Sequence, residues 1–130
     1  MKRREFIKYG TLSLGAISLL SPNVFASSHG RKRIVVIGGG FGGMTAARYA
    51  KIIDPKLDVI LVEKNPQFVS CPISNWVIGG MKQMEDISFG YQGLSARGIK
   101  VIHDEIVGID AKAGYVQGAK GKIEYDRLIV

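Results

Sequence analysis

Apolar positions along this 130-residue chain change spacing at each glycine or proline cluster, dividing it into short elements of different kinds. Arg33-Ile34-Val35-Val36-Ile37 is a β-branched run ending in glycine, the pattern of a strand buried on both faces of a parallel sheet. From Gly42 to Asp54 the apolar residues Met44, Ala46, Ala47, Ala50, Ile52 and Ile53 recur mostly at helical spacing, and Asp54-Pro55 predicts the stop. Val59-Ile60-Leu61-Val62 predicts a second strand, closed by Glu63. Strand, glycine turn, helix and strand within about thirty residues make one βαβ unit with a right-handed crossover.

Beyond Asn65 the pattern weakens. Pro66, Pro72 and Gly79-Gly80 interrupt the segment to Met84, which reads as loop with a short helix near Ser74 to Ile78. Asp86 to Arg97 predicts a helix weakened by Gly90 and Gly93 and ended by Gly98. Strands are predicted at Lys100 to His103, Ile106 to Ile109, Tyr115 to Gln117 and Ile123 to Val130. No internal repeat or low-complexity segment interrupts them. The chain stops inside the apolar run Leu128-Ile129-Val130, so the domain is expected to be truncated.

The first 26 residues have the pattern of a targeting segment. Lys2-Arg3-Arg4-Glu5-Phe6-Ile7-Lys8 precedes a weakly apolar run, Tyr9 to Leu20, and Val24-Phe25-Ala26 offers a small residue for cleavage. Gly10, Ser13, Gly15 and Pro22 leave the run short of the ~20 apolar residues of a comfortable membrane span, so no stable span is expected. The paired arginines followed by Phe6 resemble a bacterial twin-arginine signal, although Lys2 replaces the usual Ser or Thr. An ordinary secretory leader is the alternative. These positions predict a signal peptide over 1–26, a linker over 27–33, a domain from 34 to 130 and export to the periplasm.

The formal charge of +7 changes meaning once located. Lys2, Arg3, Arg4 and Lys8 lie in the leader against Glu5 alone, and Arg31, Lys32 and Arg33 lie in the linker. The body from Ile34 onward is nearly neutral, with no basic face for nucleic acid. Hydrophobic content of 46% suits a globular core rather than disorder. Cys71 is the sole cysteine, which excludes an internal disulfide, a cysteine-based zinc site and a Cys-x-x-Cys-His haem attachment. No metal site is expected.

Gly38-Gly39-Gly40-Phe41-Gly42-Gly43 contains G-x-G-x-x-G at Gly38, Gly40 and Gly43. Gly38 permits a tight strand-to-helix turn, Gly40 lets a pyrophosphate approach the backbone, and Gly43 lets the helix pack closely on the strand. Amides at the helix start, aided by the helix dipole, would face the phosphates. With 17 glycines in the chain the spacing alone is weak, but it follows a predicted strand and opens a predicted helix. Glu63, at the next strand end, suits two ribose hydroxyls and disfavours a 2′-phosphate, leaving FAD and NAD unseparated. Gly38, Gly40, Phe41, Gly42, Gly43, Glu63 and Lys64 are therefore the candidate cofactor-binding positions.

IVVIGGGFGGMTAARY, VILVEKNPQFVSCPISNWVIGG and YDRLIV resemble the flavoprotein subunit of flavocytochrome c sulfide dehydrogenases, within the wider disulfide-reductase-like flavoproteins that include sulfide:quinone reductases. The likeness covers nearly all of Ile34 to Val130. It implies an α/β fold: a Rossmann-like FAD-binding domain with a parallel sheet and a small antiparallel β insertion, incomplete at the C-terminus. It also implies FAD, covalently held through Cys71 at the flavin 8α-methyl, and periplasmic electron transport from sulfide to the haem of a c-type cytochrome subunit. The catalytic disulfide of that family is not in this stretch. Catalytic residues are therefore unassigned, and the segment by itself is expected to be inactive.

Cys71 keeps two other readings: a small buried core residue, and a redox cysteine of the kind found in NADH-dependent thiol-disulfide reductases. Pro72 is expected to hold Cys71 extended. Trp76 and Phe68 could flank a flavin, but core filling is the simpler expectation. His103 is expected to be structural or superficial, and His29 belongs to the linker. Sulfide:quinone reductase, an NADH-dependent thiol-disulfide enzyme and a non-enzymatic FAD-binding electron-transfer module remain alternatives.

Overall fold

The computed structural model describes residues 24–25 and 30–130. The paired arginines, the run from Tyr9 to Leu20 and His29 lie outside them. Among the described residues, ten strands and three α-helices come in the order β1 (Val24–Phe25), β2 (Arg33–Ile37), α1 (Phe41–Ile53), β3 (Asp58–Val62), β4 (Gln67–Val69), α2 (Ser74–Ile78), β5 (Ser88–Gly90), α3 (Gln92–Ser95), β6 (Lys100–Ile102), β7 (Ile106–Asp110), β8 (Tyr115–Gly118), β9 (Lys122–Glu124) and β10 (Arg127–Ile129).

β2 and β3 explain the layering. Their β-branched runs are buried on both sides, and successive residues point to opposite faces. Val36, Val59 and Leu61 join Ala47 of α1 with Tyr91, Leu94 and Ile99 in one core. Val35, Ile60 and Val62 join Val116 and Ile123 in another. Each fully buried aliphatic side chain contributes roughly 1.5–3 kcal/mol of burial free energy. The parallel sheet, ordered β10-β2-β3-β6, therefore lies between the helices and an antiparallel layer, β9-β8-β7, with β1 parallel to β9 at its edge. This is the α/β class with an antiparallel insertion that the sequence implies.

α1 starts where glycine ends β2 and stops where Asp54 turns extended, its N–H still bonded to Ala50 O. Lys51 Nζ then donates to Pro55 O at 2.8 Å and Leu57 O at 2.7 Å, supplying a cation at the helix C-terminus. At the other end of the sheet, Arg33 is only 6% exposed. Its Nε lies 2.6 Å from Asp58 Oδ2, tying the first residues of β2 and β3. Arg33, counted with the linker on charge, thus begins the sheet.

Three expectations change. The helix expected over Asp86 to Arg97 is broken: Ser88–Gly90 pairs antiparallel with Gln67–Val69, and only Gln92–Ser95 is α-helical. Gly90's poor helix propensity and the pairing of Phe89 with Phe68 both act against that helix. The single strand expected over Ile123 to Val130 divides at Asp126, whose carboxylate accepts Arg33 N–H at 2.6 Å while its own N–H donates to Arg33 O at 2.9 Å. β9 stays in the antiparallel sheet and β10 enters the parallel one. Finally, Cys71 is not extended but opens a 3-10 turn, Cys71–Ile73, because the Ser74 N–H and Oγ both donate to its carbonyl.

Candidate functional site

β2 lies between β3 and β10, so the chain leaves it in one direction and returns on the other side. Such a switch point opens a crevice beyond the strand's C-terminal end. There Gly38 takes φ +102°, a left-handed conformation that glycine accepts freely, and its N–H donates to Val62 O at 2.8 Å. The turn brings α1 back against β2 so closely that a Cβ on Gly43 would overlap Gly38 O. At Gly40 and Gly42 added Cβ atoms would meet nothing within 4 Å, so this side of the loop faces open space.

Gly40 caps α1 with extended backbone and no side chain, and Met44 N–H is the donor to its carbonyl at 2.9 Å. The amides at the start of α1 precede the first intrahelical hydrogen bond, leaving them for an anion. Glu63 sits opposite, one residue beyond β3. Its Oε2 accepts from Gly39 N–H at 2.7 Å, and its Oε1 accepts from Asn65 N–H at 2.9 Å and Asn65 Nδ2 at 3.0 Å. Partial burial raises the carboxyl pKa, but the hydrogen bonds from Asn65 and Gly39, with the Lys64 charge, outweigh it and leave the value lowered. The group is an anion that already holds the loop.

Gly39, Gly40 and Glu63 line a cleft of about 590 Å³ whose far wall runs from Asn65 to Val69. Phe41, half exposed, stacks edge-on against Phe68 with ring centroids 4.8 Å apart. Phe68 also packs against the helix-side core, as expected. Trp76 departs from the core-filling expectation: it is 46% exposed on α2. No residue of that short helix is buried. Lys64 does not line this cleft; it projects toward Glu105, 3.9 Å away.

Cys71 follows the cleft wall by two residues and its side chain is exposed, so the buried-core reading fails. His103 Nδ1 lies 3.1 Å from Glu63 O and its ring 5.7 Å from that of Tyr91, a structural placement. Two residues went unread in the sequence. Asn65 carried a local signal, an amide two positions after an acid and before proline; Tyr91, fifty-two residues from Gly39, carried none. Among the described residues, no group of three or more His, Cys, Asp or Glu is placed to hold a metal, and no helix is long and apolar enough to cross a membrane.

Comparison with known proteins gives this geometry relatives. The profile of the pyridine nucleotide-disulphide oxidoreductases matches residues 32–130. The flavoprotein chain of sulfide dehydrogenase (flavocytochrome c) from Chlorobaculum thiosulfatiphilum is 54% identical over 48 residues, which are 37% of this chain and 100% of that sequence. Sulfide-quinone reductase of Aquifex aeolicus is 35% identical over 101 residues, 76% of this chain but only 24% of the relative. The crystal structure of sulfide:quinone oxidoreductase from that bacterium superposes with TM-score 0.71 and 35% identity, covering 75% of this chain and 23% of the other. The chain thus spans about a quarter of the longer relative.

Proposed function

Since the chain belongs to the pyridine nucleotide-disulphide oxidoreductase family, we propose that it is the cofactor-binding part of a periplasmic FAD-dependent sulfide dehydrogenase serving a c-type cytochrome. The observation that carries the cofactor is the glycine loop joined to an anionic strand end across an open cleft. The residues fit a dinucleotide: Gly43 admits the close helix, the space over Gly40 admits a pyrophosphate, and Glu63 supplies a hydroxyl acceptor. The choice of sulfide rests on the 54% identity to a sulfide dehydrogenase flavoprotein chain.

In this reading Gly38, Gly40, Phe41, Gly42 and Gly43 form the phosphate cradle, where amides and the α1 dipole offset the pyrophosphate charge. Glu63 accepts from the adenosine ribose while Asn65 keeps its carboxylate oriented. Lys64 adds positive charge next to Glu63. Cys71, exposed just past the cleft wall, would be the covalent anchor: forming a bond from its sulfur to the flavin 8α carbon would remove the thiol proton and one methyl hydrogen, with the two electrons passing to the flavin itself. When bound there, FAD would supply the redox chemistry that couples two-electron oxidation of sulfide to one-electron reduction of a haem. The twin-arginine leader serves this chemistry by exporting a folded, loaded protein.

Sulfide:quinone reductase is the second reading, favoured by the 35% identity over 101 residues and by the superposition. Mass spectrometry of the denatured, intact protein separates the main claims. A flavin mass retained on the peptide containing Cys71, and absent from a Cys71→Ser variant, is expected. Flavin released on denaturation removes the anchor, and a preparation that neither contains nor takes up flavin removes the whole reading.

A further inference from the structure

Tyr91 is 5% exposed, lies in the helix-side core and donates from its hydroxyl to Gly39 O at 3.1 Å. A buried tyrosine that finds a carbonyl is ordinary; the position of this carbonyl is not. Gly39 is held from both ends, its N–H by Glu63 at 2.7 Å and its carbonyl by Tyr91. The peptide linking Gly39 to Gly40 is trans, so its C=O and N–H point in opposite directions. Fixing the carbonyl inward on Tyr91 therefore aims Gly40 N–H outward, on the side of the cleft that Gly40 lines. The fit also explains why the non-motif position between Gly38 and Gly40 is glycine, since a Cβ there would lie 2.7 Å from Tyr91 Cζ.

We propose that Tyr91 is a positioning residue of the dinucleotide site, holding the Gly39–Gly40 peptide so that its N–H faces the pyrophosphate. The proposal rests on the dinucleotide reading of the loop. Preorganisation is the physical gain: without the hydroxyl, that peptide is free to rotate and must be ordered at the moment of binding. Burial, with the Glu63 charge second, raises the Tyr91 pKa, so the hydroxyl stays a protonated donor throughout the neutral range.

The test uses the intact protein in a Cys71→Ser background, where FAD affinity is read from flavin fluorescence and amide hydrogen exchange from the apoprotein. Tyr91→Phe keeps the ring and removes one hydrogen bond, so FAD should bind about threefold to tenfold more weakly. Exchange should rise at residues 38–43 and stay unchanged in β3. Gly39→Ala, whose added Cβ would run first into the Tyr91 ring and hydroxyl, should show the same loss. FAD affinity equal to the parent in either variant overturns the proposal, as does an equal rise of exchange in β3, which marks a merely structural side chain. A parent that binds no FAD overturns the dinucleotide reading and this proposal with it; tight binding by parent and variants alike overturns this proposal alone.

Discussion

Glu63 is engaged before any ligand arrives, by Gly39 N–H and by the backbone and side-chain donors of Asn65. Its pKa lies below the ordinary 4.5 in the folded state, so folding stabilises the carboxylate form. That stability is fully present above about pH 4.5 and is lost as pH falls through the lower folded value. Glu63→Gln should therefore flatten the acid limb of the apoprotein's stability curve below pH 4.5, measured by urea denaturation at successive pH values; an unchanged limb removes the loop-holding role. The acid was legible because its spacing from the glycines is fixed by one strand and one helix. Tyr91 was not, because folding alone joins it to Gly39. Cys71 stood out as the only cysteine, but its 3-10 geometry depends on Ser74, which a pre-proline rule does not consider.

The strand–turn–helix element depends on how near α1 comes to β2. Gly43→Ala places a Cβ on Gly38 O, which is backbone and cannot turn aside. The helix start must move away from the strand, and overpacking of this kind costs about 1–3 kcal/mol. Thermal unfolding should show that loss, together with failure to retain FAD; parental stability in this variant excludes the close packing described. The βαβ unit was readable because strand and helix periods differ and each runs for several turns or pairs. β4 and β5 escaped notice because three residues are too few to establish a period, and their pairing is a tertiary event between Phe68 and Phe89. The β9–β10 break was hidden for a related reason: Asp126 ends one strand only because Arg33 captures it.

At the scale of the molecule, the central sheet is covered on each face by a different layer, and its crevice opens beside β2. This arrangement positions the candidate dinucleotide cleft, in a chain that spans about a quarter of the sulfide-quinone reductase relative. The proposed assignment requires the intact protein, given sulfide, to reduce a c-type cytochrome in steady state and to transfer little to a soluble quinone analogue. The reverse preference, followed by absorbance, would favour the quinone reading. The α/β class and antiparallel insertion were anticipated by resemblance, whereas the two-sided burial could be read directly from unbroken β-branched runs.

β2 pairs with β3 on one edge, but its other edge is met only by β10, with Ile34 opposite Arg127. On a ribosome the glycine loop and α1 therefore emerge long before the strand they hang from is complete. Until Arg127 to Ile129 have left the exit tunnel, the nascent chain carries an open sheet edge, a template for wrong pairing. Synthesis order thus imposes a waiting period, during which a chaperone that masks that edge has its use.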